Sequence, residues 1–180
     1  HKHNILTSSL IMTNSQVRFV YMGGNQVVPR DVTHVIVHRS VDTIRRRAFR
    51  NCTKLVSIEV HDGVKLIEEE AFYFCRSLRR IELPGVRVIG AGAFRFCREL
   101  ESVAFGDKLR IIGEQAFHRC RSLQNIKIPK ARVIESEAFG DCKELKDAVL
   151  SKDLKRIDDG AFKECPNLMS IVIPLTDGVF

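Results

Sequence analysis

The chain has 180 residues, 44% of them hydrophobic and 28% charged, which is one domain's worth of globular material with enough apolar content to bury a core. Its 29 basic against 22 acidic residues leave a formal charge of +7, a balance that mildly favours acidic partners without naming one. No run is apolar and long enough for a membrane-spanning helix. The six cysteines lie at least 22 residues apart with no Cys-x-x-Cys pair, which speaks against a zinc site or a compact disulfide scaffold as the organising device.

Residues 1–16 are polar and weakly patterned and read as a mobile tail. Within them Ile5 to Thr13 is too broken by Ser and Thr to be a signal-peptide core. Val17, Phe19 and Tyr21 then alternate with Arg18 and Val20 as far as Gly23-Gly24, and Asn25 to Val28 follow, a pattern that predicts a β-hairpin. Residues 1–31 are therefore expected to form a tail and a hairpin cap over the open end of what comes next.

From Val32 onward one pattern recurs. Cys52, Cys75, Cys97, Cys120, Cys142 and Cys165 are spaced 23, 22, 23, 22 and 23 residues apart. An Ala-Phe pair keeps the same spacing three residues earlier, from Ala48-Phe49 to Ala161-Phe162, and a leucine three residues later, from Leu55 to Leu168. Such self-similarity means one supersecondary unit stacked on copies of itself, so residues 32–180 are expected to form a solenoid of about six repeats. Each leucine is followed at three and five residues by apolar side chains, as in Leu78, Ile81 and Leu83, the alternation of a strand of about five residues. Val32, Val35 and Val37 place one more strand ahead of the first Ala-Phe unit. A second inward residue lies five before each Phe (Ile44, Ile67, Ile89, Ile112, Ile134, Ile157). The acidic residues that follow several of these, such as Glu68 to Glu70, suit the N-terminus of one or two helical turns carrying Ala-Phe-x-x-Cys. Pro84 and Pro129 stand where the corner after the strand is one residue shorter, and proline's fixed φ suits that tighter corner.

Written out, the unit is Ile67-Glu-Glu-Glu-Ala71-Phe72-Tyr-Phe-Cys75-Arg-Ser-Leu78-Arg-Arg-Ile81-Glu-Leu83-Pro84. It resembles the BspA-like class of leucine-rich repeats over roughly residues 32–174. The resemblance implies an α/β fold, a parallel-β solenoid with short helical turns. It also implies use in protein binding, as in bacterial surface proteins and expanded families of microbial eukaryotes. It implies no catalytic residues and no cofactor. The first unit departs from the pattern, with Arg45-Arg46-Arg47 where later units place acidic or small residues.

The repeat itself accounts for most residues that could carry chemistry. The cysteines read as small buried residues filling a narrow slot, and equivalent side chains in stacked repeats point the same way rather than toward each other, which disfavours bridging. His34, His38 and His61 share a face but lack acidic partners for a metal site. No nucleophile-base pair, paired carboxylates or phosphate loop stands outside the scaffold pattern, so an enzyme is not expected. Two surfaces are candidates for a partner. Arg45, Arg46, Arg47 and Arg50 concentrate positive charge where a helix N-terminus disfavours it, so either an external anion or a neighbouring carboxylate must compensate. The outward side chains of the strands, among them Glu59, Arg80, Glu82 and Lys127, tile an open mixed face suited to many modest protein contacts.

The expected function is a non-enzymatic protein-interaction module whose partner stays unidentified. The alternative is a surface adhesion or polyanion-binding protein using the basic columns Lys65, Arg87, Arg110, Arg132 and Lys155, and Arg76, Arg98, Arg121 and Lys143. Nucleic acid is disfavoured because no aromatic residues interleave with those columns. His1 is not a natural start and Pro174 to Phe180 break off early in a further repeat, so the chain reads as a fragment from which an export signal could have been cut. Free thiols otherwise fit a reducing interior.

Overall fold

A computed structural model describes residues 10–13 and 16–174. Among these residues there are strands and turns and no helix. The chain forms β1 (Leu10–Thr13), β2 (Gln16–Tyr21), β3 (His34–Val37), β4 (Thr43–Ile44), β5 (Ser57–Glu59), β6 (Leu66–Ile67), β7 (Arg80–Leu83), β8 (Val88–Ile89), β9 (Ser102–Phe105), β10 (Ile111–Ile112), β11 (Asn125–Lys127), β12 (Val133–Ile134), β13 (Asp147–Val149), β14 (Arg156–Ile157) and β15 (Ser170–Val172). From β3 onward the strands alternate between two rows, and each coil contributes one strand to each row.

The longer row runs β3, β5, β7, β9, β11, β13, β15, hydrogen-bonded as three sheets that break between β5 and β7 and between β9 and β11. Its pairings are parallel and set equivalent repeat positions side by side, for example Ile81 beside Val103 and Ile126 beside Ala148. The shorter row is a continuous six-stranded parallel sheet, β4 to β14, pairing Ile44, Ile67, Ile89, Ile112, Ile134 and Ile157 in register. Such pairing is what a period of 22 or 23 residues dictates: each coil needs the next to satisfy its backbone and to cover its apolar edge.

The third side of each coil is not the helical turn that the sequence suggests. The residues two before and two after each column Phe both have left-handed backbone, with φ between 51° and 68°: Arg47 and Asn51, Glu70 and Phe74, Gly92 and Phe96, Gln115 and Arg119, Glu137 and Asp141, Gly160 and Glu164. That conformation cannot propagate an α-helix of L-residues. Alternate N–H groups leave the coil altogether. The Phe49, Phe72, Phe94, Phe117 and Phe139 amides donate to the carbonyls of Ala71, Ala93, Ala116, Ala138 and Ala161 of the following coil at 2.7–2.8 Å. The amides between them close turns within the coil, as Cys75 N–H to Phe72 O at 3.1 Å. A ribbon of overlapping turns, laddered from coil to coil, replaces the helix. Each left-handed residue other than Gly92 and Gly160 costs about 1–2 kcal/mol, and the cross-coil bonds together with the buried Phe hold it there.

The interior is filled by the predicted columns. Phe49, Phe72, Phe94, Phe117, Phe139 and Phe162 stack with centroids 4.9–5.3 Å apart and planes within 8° of parallel, an offset stack worth about 0.5–1.5 kcal/mol per pair beyond its area. Tyr21 continues the column ahead of Phe49 at 5.0 Å, tilted by 60°. All six cysteines are free thiols, five of them buried. They are more than filler. Cys75, Cys97, Cys120, Cys142 and Cys165 each direct Sγ to the Phe carbonyl of the preceding coil, at 3.1–3.3 Å. Each such thiol donates to an oxygen that already accepts the amide of its own coil's cysteine, except at Phe139, where only the Cys165 thiol is recorded.

The amino-terminal hairpin exists but is displaced from its predicted place. It joins β1 to β2 antiparallel, and β2 then pairs parallel with β3, setting Phe19, Val20 and Tyr21 beside Val35, Ile36 and Val37. Gly23-Gly24, expected at the hairpin turn, instead begins a loop toward Pro29. The predicted tail includes β1, while its residues 1–9 and 14–15 lie outside the described residues, as do residues 175–180 of the broken-off repeat. Corners of successive coils touch backbone to backbone. A Cβ built on Gly106 would stand 2.0 Å from the Pro84 carbonyl oxygen, so only glycine fits there.

Candidate functional site

The eight residues singled out by sequence separate onto two sides of the solenoid. Glu59, Arg80, Glu82 and Lys127 project from the outward face of the long strand row, where the alternation of β7 buries Ile81 and Leu83 and exposes Arg80 and Glu82. A shallow cleft of about 600 Å³ crosses this face between β3, β5 and β7, lined by Ile36, Arg39, Glu59, His61, Arg80 and Glu82 among others. Glu59 is engaged by the Arg18 guanidinium. Arg80 stands 3.9 Å from Glu101, and Lys127 is exposed two coils beyond Glu82. The face is thus an open strip of alternating charge on a rigid ladder, with no deep concavity.

His34, His38 and His61 are each tied locally, to Thr33 Oγ1, to Ser40 Oγ and to the His38 carbonyl at 2.8–3.0 Å. Among the described residues, no three side chains of His, Cys, Asp or Glu converge as metal ligands would.

Arg45, Arg46, Arg47 and Arg50 lie on the turn ribbon, at the other side of the coil. Their charge is balanced from within. Twenty-three residues on, the next coil places Glu68, Glu69 and Glu70 beside them: Arg45 lies 3.7 Å from Glu68, Arg46 3.0 Å from Glu69 and Arg47 2.6 Å from Glu70. Arg50 shares the Glu70 carboxylate. Burial alone would raise the Glu70 pKa, but the hydrogen bonds and charges of Arg47 and Arg50 outweigh it and hold the carboxyl below its ordinary value. The expectation of positive charge at a helix N-terminus therefore falls with the helix, and the departure of the first repeat is a triplet of arginines registered against a triplet of glutamates. Beside them, a second cleft of about 560 Å³ opens between Tyr21, the 24–30 loop and Arg45–Ala48.

The ribbon also carries a cluster that the column analysis passed over. Tyr73, Phe74 and Phe96 stand one and two residues after the column Phe, outside the repeating aromatic position, and their rings meet at 4.5–5.6 Å. Guanidinium groups cover them: Arg50 over Tyr73 and Arg76 over Phe74, both at 4.6 Å, and Arg95 and Arg119 over Phe96 at 5.0 and 5.2 Å. The premise that no aromatic residues interleave with the basic columns is corrected at one position, where Arg76 of those columns lies over Phe74; Arg50, Arg95 and Arg119 stand outside them. The available signal was the three aromatics falling off the column. Their convergence depends on the two left-handed residues per coil, which helical spacing does not produce.

One coil further, Asp141 is almost fully buried among Lys143 at 2.5 Å, Arg119 at 3.2 Å and Arg121 at 3.3 Å. Burial pushes its carboxyl up, yet the hydrogen bonds from Lys143 and Arg121 prevail and its pKa is lowered.

The family profile described as BspA type leucine rich repeat region matches six copies, over residues 29–130 and 67–177. Among solved structures, a leucine-rich repeat protein of T. pallidum is 30% identical, with a TM-score of 0.73 over 91% of this chain and 79% of that one. A leucine-rich repeat protein from Eubacterium ventriosum is 19% identical, with a TM-score of 0.64 over 94% of this chain and 53% of its own, and so shares the fold. The pneumococcal vaccine antigen PcpA shares it at 18% identity and a TM-score of 0.53, over 92% of this chain and 59% of that one. This chain thus spans little more than half of the latter two. A search of curated proteins finds no match.

Proposed function

The chain belongs to the BspA-type leucine-rich repeat family, and on that premise we propose that it works as a non-enzymatic module that holds a protein partner against the outward face of its long strand row. The observation that carries this reading is the registered parallel pairing beneath that face. It holds the outward side chains of each of the three short sheets of that row in place before any partner arrives, Glu59 on the first, Arg80 and Glu82 on the second and Lys127 on the third, so little ordering entropy is lost on binding. Residues 1–31 serve as the end cap and residues 32–180 as the presenting array. Arg45, Arg46, Arg47 and Arg50 act mainly as ties between the first two coils, with their outer edges free to join the contact.

A non-enzymatic role is supported by where the reactive groups are spent. Burial pushes the Cys52 thiol up to about 11 and the Cys75, Cys120 and Cys142 thiols well above the ordinary range, which removes thiolate character at neutral pH. The carboxylates of Glu70 and Asp141 are consumed by ion pairs.

A photo-crosslinking amino acid placed at Glu82, and separately at Lys127, tests the proposal in the cells that express the chain. Both positions are expected to yield an adduct with one and the same protein. The opposite result is no protein adduct from either position, with salt-sensitive retention on heparin. That result would favour the polyanion-binding alternative, which draws on the net charge of +7.

A further inference from the structure

We propose that the aromatic and guanidinium cluster on the turn ribbon is a second docking strip, and that its ligand is an extended acidic segment of a protein. The inference rests on the protein-interaction reading above and adds to it a separate face and a ligand chemistry.

Charge comes first. Between Glu70 at one end of the strip and the buried Asp141 at the other, Arg76, Arg95 and Arg98 have no carboxylate within ion-pairing distance among the described residues. Glu70 is already shared by Arg47 and Arg50, and Asp141 by three cations. The strip therefore carries more fixed positive charge than its own carboxylates neutralise, whereas the arginine triplet of the first coil is matched residue for residue.

The second point is preorganisation. A surface arginine ordinarily samples many rotamers, but here Arg76 lies on Phe74 and Arg95 on Phe96. Stacking orients the planar group, and a guanidinium held in one plane can grip a carboxylate with two parallel hydrogen bonds through its N–H edges.

The third point separates ligand classes. Binding of single-stranded nucleic acid needs free aromatic faces on which bases stack. In this strip the rings pack on one another and guanidiniums lie over Tyr73, Phe74 and Phe96, with Phe96 covered by both Arg95 and Arg119. The rings serve as platforms for the cations. Coils repeat about 5 Å apart. Alternate side chains of an extended peptide recur at about 6.6 Å, so the two spacings agree only between neighbouring coils, where long glutamate side chains take up the difference.

The test uses the 180-residue chain and a fluorescein-labelled decapeptide of alternating glutamate and serine, read by anisotropy at about 0.15 M salt, where remote charges are screened. The double variant Arg76→Lys with Arg95→Lys keeps the charge and removes the forks. The control Arg80→Lys with Lys127→Arg makes comparable changes on the strand row. Thermal melting confirms that both fold. The proposal expects the peptide to bind and the strip variant to lose about tenfold or more in affinity, as forfeited charge-assisted bonds would give, with the control within about twofold. No binding of the peptide, equal weakening in both variants, full affinity in the strip variant, or preference for heparin or oligo-dT over the peptide would each overturn it. None of those outcomes touches the crosslinks at Glu82 and Lys127, so failure of the strip and failure of the strand-row reading remain distinguishable.

Discussion

The middle coils and the last described coil carry the same residue types at the same repeat positions, yet one set is core and the other is surface. Ile134 is fully buried, while Ile157, its equivalent one coil on, is 45% exposed. Ala148 is buried beside Ile171 at 48%, and Cys142 is buried where Cys165 is partly open. At the other end, β2 and Tyr21 cover the first coil and leave Val35, Ile44 and Phe49 buried. Burial here is a property of having a neighbour on both sides rather than of the residue, which is the nearest-neighbour logic of a stacked array.

The sharpest way to break this comparison is to remove equivalent rings. Phe94→Ala deletes a fully buried ring stacked on both faces and is expected to cost about 3–5 kcal/mol. Phe162→Ala removes a ring that, among the described residues, stacks on Phe139 alone and is expected to cost roughly half as much or less. Chemical denaturation of both variants measures the difference, and equal losses would contradict the nearest-neighbour account. A smaller effect, still on the order of 1–3 kcal/mol, is expected for Gly106→Ala, because the added Cβ drives one coil corner against the backbone of the one before it. A melting temperature equal to that of the parent would show that the corners do not touch.

The thiols separate middle from end chemically. Cys165 is only partly buried. Its hydrogen bond with Cys142 lowers its pKa against opposing burial, with Lys143 assisting. A thiol reagent on the native chain is expected to modify this cysteine first, and the other five only on unfolding. For Cys52, burial lifts the folded pKa to about 11, above the ordinary thiol value of 9.0. Between those values the unfolded chain loses a proton that the folded chain keeps, so stability is intact below about pH 9 and falls as pH rises toward 11. A stability that rises over that range would refute the buried-thiol picture. The smallest effect is expected for Arg46→Ala, which breaks an exposed ion pair worth about 0.2–1 kcal/mol. A much larger loss would give the arginine and glutamate triplets a structural weight that surface pairs do not carry.

The stack was legible because its determinants are side chains that recur at fixed spacing. Column residues such as Phe72, Cys75, Leu78 and Ile81 are all buried as read, and the strand row follows from their alternation. The turn ribbon was not legible, because its cause lies in backbone conformation. Gly92, Gly160, Asn51 and Asp141 are residue types that tolerate left-handed φ, but Arg47, Glu70, Phe74 and Phe96 occupy equivalent positions and hide that signal. Short Ala-Phe-x-x-Cys segments preceded by acidic residues look like helix starts. The inter-coil hydrogen bonds that defeat the helix join residues 21 or 22 apart, beyond the reach of local propensity. The same blindness concealed the off-column rings and their guanidiniums, which meet only once the ribbon is built.

Hydrogen-bond scalar couplings measured by NMR on the labelled chain test the central claim most directly. The account predicts that the Phe72 amide couples to the Ala93 carbonyl and the Phe94 amide to the Ala116 carbonyl. Couplings to the carbonyls four residues earlier, Glu68 and Gly90, would mark helical turns and contradict the laddered ribbon.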